Sequence, residues 1–345
     1  MRRHLIPLLL LTFLNACAGQ GQEEGDRIVK QKTSKKIYGV SFVASRDSVS
    51  PSHIEPLLDV GFDQAALMPF GFLRSPDEPE LFFNTDRQWV GERVSGTKQY
   101  AKQLKAARIE VMIKPQIWIR RGEFTGDLLM ADEAKWQVFE KGYREFILLY
   151  AKVAEEVDAE IFCIGTELFN FVNARTAFWD ELIKEVRTVY SGKITYAENW
   201  DKVARNPLWE NLDYIGVDAY FPVSEAQTPT VAEARAGWKE HKKALQALSR
   251  KLDKPVLFTE YGYRSLDFAG KEPWVADRTE GGVNHTAQQN LTEALFDEFY
   301  SEPWFAGGFI WKWFVRHERA GGMEDNRFTP QNKPLQQFLK NRFKG

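Results

Sequence analysis

The sequence has 345 residues, and its 46 basic and 48 acidic side chains leave a formal net charge of −2. With 43% hydrophobic and 27% charged residues, it has the composition of a globular protein with a large core, either one α/β barrel or two ordinary domains. The near-neutral charge argues against a nucleic-acid-binding protein, because a basic face supplies most of that affinity. Aromatic residues make up 14% of the chain, which fits core anchors or a ligand with flat apolar faces, such as a sugar.

The first residues predict an exported lipoprotein. Arg2 and Arg3 precede an apolar run at 5–14 that is too short to span a bilayer, so 1–16 is predicted to be a signal peptide. Residues 14–17 (LNAC) resemble a bacterial lipobox, in which Cys17 is lipidated; ordinary secretion with a chance Cys is the alternative. Residues 17–36 are polar and Gly-rich, which predicts a flexible tether. We expect a protein anchored by its lipid at a membrane, in the periplasm or on the cell surface.

From residue 37 onward, short apolar runs alternate with helical patterns. Eight strands are predicted, at 37–44, 62–70, 109–118, 160–166, 193–199, 212–220, 255–261 and 305–314. Helices are predicted between and after them, at 52–60, 95–107, 133–157, 176–190, 231–252, 285–300 and 334–342. This alternation predicts a single (β/α)8 TIM barrel over 37–345. A doubly wound open sheet is the alternative, but no Gly-x-Gly-x-x-Gly follows a predicted strand, so a dinucleotide-binding version is unsupported.

Two of the predicted strands, the fourth and the seventh, lead into a glutamate: Glu167 and Glu260. A carboxylate at the end of a buried strand is costly unless it has a partner, and an ion pair is the structural alternative for either one. In a barrel of this type, reacting groups lie at the carboxyl ends of the strands. Strands four and seven lie on opposite sides of the barrel mouth, so both carboxyl groups can converge on one bond. Paired carboxyl groups of this kind are what the hydrolysis of a glycosidic bond requires.

Six segments resemble glycoside hydrolase family 113: 164–168 (IGTEL), 196–200 (YAENW), 213–222 (DYIGVDAYFP), 258–263 (FTEYGY), 307–313 (GGFIWKW) and 329–334 (TPQNKP). That family is known for endo-β-1,4-mannanases that act with retention. The resemblance implies that Glu167 is the acid/base and Glu260 the nucleophile, in a double displacement through a covalent glycosyl-enzyme intermediate. β-1,4-Mannan is the expected substrate, with β-glucan or another hexoside left open. A catalytically silent, surface glycan-binding lipoprotein is the alternative from another class.

The resemblance also implies residues that bind the sugar. Relatives carry a tyrosine at the position of Tyr220, hydrogen-bonded to the nucleophile, although an ordinary rim tyrosine is the alternative. Trp311 and Trp313 share a face by the strand period of two; we expect Trp311 under the distorted sugar and leave Trp313 between sugar and core. Relatives carry Asn before the acid/base, whereas this chain has Thr166, so Asn199 is the candidate for contacting the sugar 2-hydroxyl.

Strand three supplies further candidates. Lys114 and Gln116 share parity at its end, with Trp118 beyond, and the relatives' Lys-Pro-His is Lys-Pro-Gln here. Lys114 and Trp118 are therefore predicted to bind substrate, as is Trp200 in a mouth loop, and Arg46 is a weaker candidate.

No cofactor and no metal are expected, because none of the five histidines has a second ligand at zinc-like spacing. Cys163 lies in an apolar run, which predicts a buried thiol with no catalytic role. The expected partner is a polysaccharide or oligosaccharide substrate. We expect a monomer that binds no nucleic acid and touches the membrane only through its lipid.

Overall fold

Eight parallel strands close into a barrel in the computed structural model, which describes residues 35–276 and 281–344. The strands are β1 (Ile37–Phe42), β2 (Gln64–Leu67), β3 (Glu110–Ile113), β4 (Ile161–Thr166), β5 (Lys193–Asn199), β6 (Ile215–Asp218), β7 (Val256–Tyr261) and β8 (Phe305–Trp313). Each pairs in parallel with the next along the chain, and β8 pairs with β1 to close the ring. The predicted (β/α)8 barrel is confirmed.

Eight α-helices occur in the described part of the chain. They are α1 (Pro51–Val60), α2 (Val94–Ala106), α3 (Glu133–Glu156), α4 (Phe169–Ala174), α5 (Thr176–Val189), α6 (Val231–Leu252), α7 (His285–Phe299) and α8 (Pro334–Lys344). Local side-chain bonds define several of their starts. At α6, Thr230 and Glu233 each accept a hydrogen bond from the backbone N–H of the other, at 3.2 and 2.8 Å, a capping box that satisfies two otherwise free donors.

The strands are apolar along most of their length because the barrel buries both of their faces. All six residues of β7 are buried, for example. Small and medium apolar side chains, among them Ala66, Cys163 and Leu257, form one cluster inside the ring of strands, while a larger cluster lies between strands and helices. Cys163 is fully buried and unpaired, as predicted, and burial raises the pKa of its thiol to about 12.

Predicted strands two and three are each interrupted by a proline. β2 stops at Leu67 and the chain resumes as a separate strand at Phe70–Leu73, with Pro69 between them; β3 stops at Ile113 and resumes at Gln116–Ile119, after Pro115. Proline has no N–H for the ladder, so the barrel pairing ends there. The two outer pieces pair with each other, and Phe70–Leu73 also pairs with Phe82–Phe83, in a small three-stranded sheet at the mouth of the barrel.

The signal peptide, Cys17 and nearly all of the tether lie outside the described residues, so these predictions stay predictions. Within residues 35–276 and 281–344, no helix has the length and apolar character needed to cross a bilayer.

Candidate active site

The carboxyl ends of the barrel strands surround a cavity of about 520 Å³. Glu167, which directly follows β4, and Glu260 in β7 both line it. Four residues predicted to bind sugar line the same cavity: Asn199, Trp200, Tyr220 and Trp311. The fold therefore brings six of the nine predicted site residues together, although they are spread over five strands or strand ends.

Hydrogen-bond donors contact both carboxyl oxygens of Glu260. Its Oε1 accepts from Lys114 Nζ and, at 3.1 Å, from Gln116 Nε2, while its Oε2 accepts from Tyr220 OH at 2.9 Å. Only 6% of Glu260 is exposed. Donors of this number and charge stabilise a carboxylate and fix the direction of its free lone pairs, which suits a nucleophile.

Lys114 bridges Glu260 and a second buried carboxylate, that of Asp218 at the end of β6. Its Nζ lies 3.0 Å from Asp218 Oδ1, which also accepts a 2.8 Å hydrogen bond from Thr259 Oγ1. Burial raises the pKa of Asp218 to about 7, and the charge of Glu260 adds to the shift, whereas Lys114 opposes it. Burial alone would lower the pKa of Lys114, but the two carboxylates outweigh it and raise that pKa. The three side chains form one buried charge network beneath the cavity.

Glu167 has a different environment from Glu260. None of the side chains in the described ranges donates a hydrogen bond to its carboxyl group. Burial raises the pKa of Glu167 well above its usual range, and the negative charges of Asp218 and Glu260 add to the shift, while Lys114 opposes it. Its backbone has a φ of 51°, a left-handed conformation that is uncommon outside glycine and is held by the 2.8 Å bond from its N–H to the carbonyl of Ala197. A carboxyl group with a raised pKa suits a general acid.

Aromatic side chains form the walls of the cavity. Trp200 and Trp274 stack with their ring centroids 5.2 Å apart, and Trp311 and Phe328 line another part. Asn199 adds a polar group: its Oδ1 is buried and accepts no hydrogen bond from the described residues. Flat apolar walls with a few unsatisfied polar groups are typical of a carbohydrate site.

Comparison with known protein families identifies the family to which this site belongs. The sequence profile of Glycoside Hydrolase Family 113 matches residues 46–333. The chain belongs to this family. The resemblance noted in the sequence is confirmed, and this protein is therefore a glycosidase.

Solved structures share its fold. The family 113 β-mannanase from Alicyclobacillus acidocaldarius, in complex with ManMIm, is 24% identical, with 90% of this chain and 97% of that chain covered and a TM-score of 0.78. A family 113 β-1,4-mannanase complex is 20% identical, covering 90% and 100%, with a TM-score of 0.77. A Faecalibacterium prausnitzii β-glucuronidase is 13% identical, covering 90% and 49%, with a TM-score of 0.58. No curated protein sequence matches the chain.

The sequence leaves Trp313 between sugar and core; the structure places it in the core and so corrects its prediction as a sugar-binding candidate. In this glycosidase Trp313 is fully buried between Phe62 and His317, with ring centroids 5.6 and 5.3 Å away. The period of two fails because the pairing of β8 with β1 shifts: two residues of β1 oppose three of β8 between Ile310 and Trp313. Such a bulge turns the following side chain to the other face. Trp311 therefore faces the cavity and Trp313 faces the core.

Lys114 and Trp118 do not line the catalytic cavity, but only the prediction for Lys114 is contradicted. Lys114 has no exposed surface, so a sugar cannot reach its ammonium group, and the prediction that it binds substrate is corrected: it holds Asp218 and Glu260. Trp118 lies on the small sheet, 51% exposed and outside the catalytic cavity.

Sequence reasoning missed two carboxyl groups of the family 113 site. Asp218 lies at the end of β6, just as Glu260 closes the apolar run of β7. A carboxyl group at the end of a buried strand is therefore a signal that also marks Asp218. Glu198 in β5 is buried and accepts from Asn206 Nδ2 at 2.8 Å, and burial raises its pKa to about 7. Trp274 and Phe328 come from loops, where no periodic pattern marks them.

No cluster of three or more His, Cys, Asp or Glu side chains in residues 35–276 and 281–344 is arranged to hold a metal ion.

Proposed function

We propose that this family 113 glycosidase hydrolyses β-1,4-mannan or manno-oligosaccharides with retention of anomeric configuration. One observation carries the proposal: two carboxyl groups share a cavity but differ in environment. Glu260 is bound by three donors, while the pKa of Glu167 is raised. Two carboxyl groups with separated tasks are the basis of double displacement.

In the first step, a carboxylate oxygen of Glu260 attacks the anomeric carbon. The bond from that carbon to the leaving oxygen breaks, and Glu167 gives its proton to this oxygen. The product is a glycosyl ester on Glu260, with inverted configuration, and an ionised Glu167. Tyr220 and Gln116 hold Glu260 in position throughout, because their bonds reach oxygens on both sides of the carboxyl group.

In the second step, Glu167 takes a proton from a water molecule as the water oxygen attacks the same carbon. The ester bond to Glu260 breaks and the carboxylate returns to Lys114, Gln116 and Tyr220. Two inversions give net retention, and Glu167 is again protonated.

The cavity walls support a neutral hexose chain as the substrate. Trp200, Trp274 and Trp311 offer flat apolar surfaces, and the unsatisfied Oδ1 of Asn199 can accept a hydrogen bond from a sugar hydroxyl. Asn199 would then contact the sugar 2-hydroxyl. In relatives this contact is made by the Asn at the position that Thr166 occupies here.

A substrate panel tests the proposal. Residues 37–345 are incubated with mannan, glucomannan, xylan and cellulose oligomers, with Glu260→Ala protein as the control for contaminating hydrolases. We expect mannan to be cleaved fastest and the first product observed by proton NMR to be the β-anomer. Preferential cleavage of another polymer would replace the substrate, a first product with α-configuration would refute retention, and binding without turnover would identify a glycan-binding protein.

We also infer that the enzyme works at a membrane surface, tethered by lipid at Cys17. The inference is supported by the basic start, the apolar run and the LNAC segment. In a bacterial host, labelled palmitate should enter the wild-type protein and leave it in the membrane fraction, whereas Cys17→Ala should abolish both results. Equal labelling of the two proteins would rule the anchor out.

A further inference from the structure

The small sheet at the barrel mouth has an unusual open face. Its strands alternate, so that Gly71, Leu73, Ile117 and Ile119 are buried. The other face carries Phe70, Phe72, Gln116 and Trp118, all at least partly exposed. The solvent side of a half-buried sheet is normally polar. Three large aromatic side chains among four positions are therefore unexplained by the fold.

Three aromatic residues, two exposed and one half-buried, form a row across this sheet. Phe72 pairs with Phe82 on one side and with Trp118 on the other. Directly paired residues point to the same face, and neighbouring strands lie about 4.8 Å apart, so the row from Phe82 to Trp118 spans about 10 Å. We call these three residues the aromatic platform. A span of this size accommodates two consecutive hexopyranose rings.

One strand links the aromatic platform to the catalytic glutamate. Gln116, whose Nε2 lies 3.1 Å from Glu260 Oε1, is on the same face of the same strand as Trp118. Two residues along a strand advance by about 6.6 Å. A chain with one sugar over Glu260 can therefore extend past Gln116 onto Trp118 and Phe72.

Polar groups accompany the aromatic surface. A second cavity of about 400 Å³ is lined by Phe72, Phe82 and Trp89, together with Arg87, Gln88 and Glu92. Trp89 is 42% exposed and Phe82 is 38% exposed. Aromatic faces beside hydrogen-bonding side chains match the alternating apolar faces and hydroxyl edges of a sugar chain.

We propose that the aromatic platform binds the part of a β-linked hexose chain that extends beyond the catalytic cavity. This inference rests on the proposed function, because its occupant is the same polysaccharide. Glu260 and the stacked Trp200–Trp274 pair line the catalytic cavity, and the platform adds a second aromatic surface beyond Gln116. The enzyme would use this surface on long chains and leave it empty with short ones.

Truncation of the aromatic platform tests the inference. Trp118→Ala and Phe82→Ala are compared with Leu58→Ala, which shortens a similarly exposed apolar side chain on α1. Each protein is assayed on soluble mannan, or on the polysaccharide that the panel selects, and on a short dinitrophenyl β-mannobioside or its counterpart. We expect kcat/KM for the polymer to fall about tenfold or more, and the loss on the polymer to be at least several times that on the short substrate.

A binding measurement separates this result from turnover. The Glu260→Ala protein should migrate slowly through a gel that contains the polymer. The double variant with Glu260→Ala and Trp118→Ala should migrate at the rate seen without polymer. Equal losses on polymer and short substrate, or no loss on the polymer, would overturn the role of the platform. Failure of the proposed function has a different signature, since the wild-type enzyme would then prefer another polymer, release the α-anomer first or bind without turnover.

Discussion

Glu260→Ala is expected to lower kcat for hydrolysis by about 10⁴-fold or more, as the loss of a catalytic nucleophile does in other hydrolases. The change removes the oxygen that forms the covalent bond and leaves Lys114, Gln116 and Tyr220 without their shared acceptor. Water cannot replace Glu260 well, because in a double displacement the water is activated by Glu167 on the opposite face of the sugar. Steady-state rates on the best substrate of the panel measure this loss.

Added azide should restore turnover in this variant, with a diagnostic product. The anion fits the space left by the carboxylate, attacks the anomeric carbon once, and gives the α-glycosyl azide as Glu167 protonates the leaving oxygen. The matched variant is Glu167→Ala, tested with a dinitrophenyl glycoside whose leaving group needs no acid. There the glycosyl ester on Glu260 still forms, and azide displaces it to give the β-glycosyl azide.

The two azide products assign the two roles independently. If Glu260→Ala gave the β-azide and Glu167→Ala the α-azide, the nucleophile and the acid/base would be exchanged. If Glu260→Ala kept its activity without azide, the assignment of Glu260 as the nucleophile would be wrong.

Lys114→Met is expected to lower the free energy of unfolding by about 3–5 kcal/mol near pH 8, the cost of removing one partner from a buried ion pair. Methionine fills a similar volume without charge, so the loss arises from the carboxylates of Asp218 and Glu260 rather than from a void. Both lie within hydrogen-bonding distance of Lys114 Nζ, and both are nearly fully buried. We also expect catalysis to fall, since Glu260 loses a charged donor.

The loss should depend on pH, with a sign that follows from Asp218. Burial raises the pKa of Asp218 in the folded protein from its ordinary value to about 7, so the stability associated with its protonated form is fully present below the unfolded pKa and is lost as pH rises through 7. Without Lys114 the folded pKa rises further. The variant should therefore be closest to the wild type near pH 5.5 and fall behind it as pH increases.

Urea unfolding at about pH 5.5 and about pH 8.5 measures both the size and the sign of this effect. Tyr220→Phe is the matched control, because it removes one hydrogen bond to Glu260 and leaves the buried charges balanced; we expect a loss of about 1–2 kcal/mol with little pH dependence. A Lys114→Met protein as stable as the wild type near pH 8.5 would show that the network is not ionised as described.

Local patterns predicted the parts of the site that depend on one strand at a time. Glu167 and Glu260 were found because each follows an apolar run, and the barrel places the ends of such runs around one mouth. The same pattern marks Asp218, because it also lies at the end of a buried strand, β6. For Trp313 the pattern itself misled, because a register shift against β1 breaks the alternation.

Hydrophobic periodicity specifies the alternation of strands and helices, and with it the barrel and the two glutamates at its mouth, because periodicity is a property of short segments. Which strand ends meet depends instead on how the whole chain folds. Lys114 is 104 residues from Asp218 and 146 from Glu260, and their contact exists because the barrel closes with a particular register. The aromatic platform arises in the same way: prolines at 69 and 115 release two strand ends from the barrel, and their pairing aligns Phe72 with Trp118. Register and closure depend on hydrogen bonds between distant segments, so no pattern within one segment specifies them.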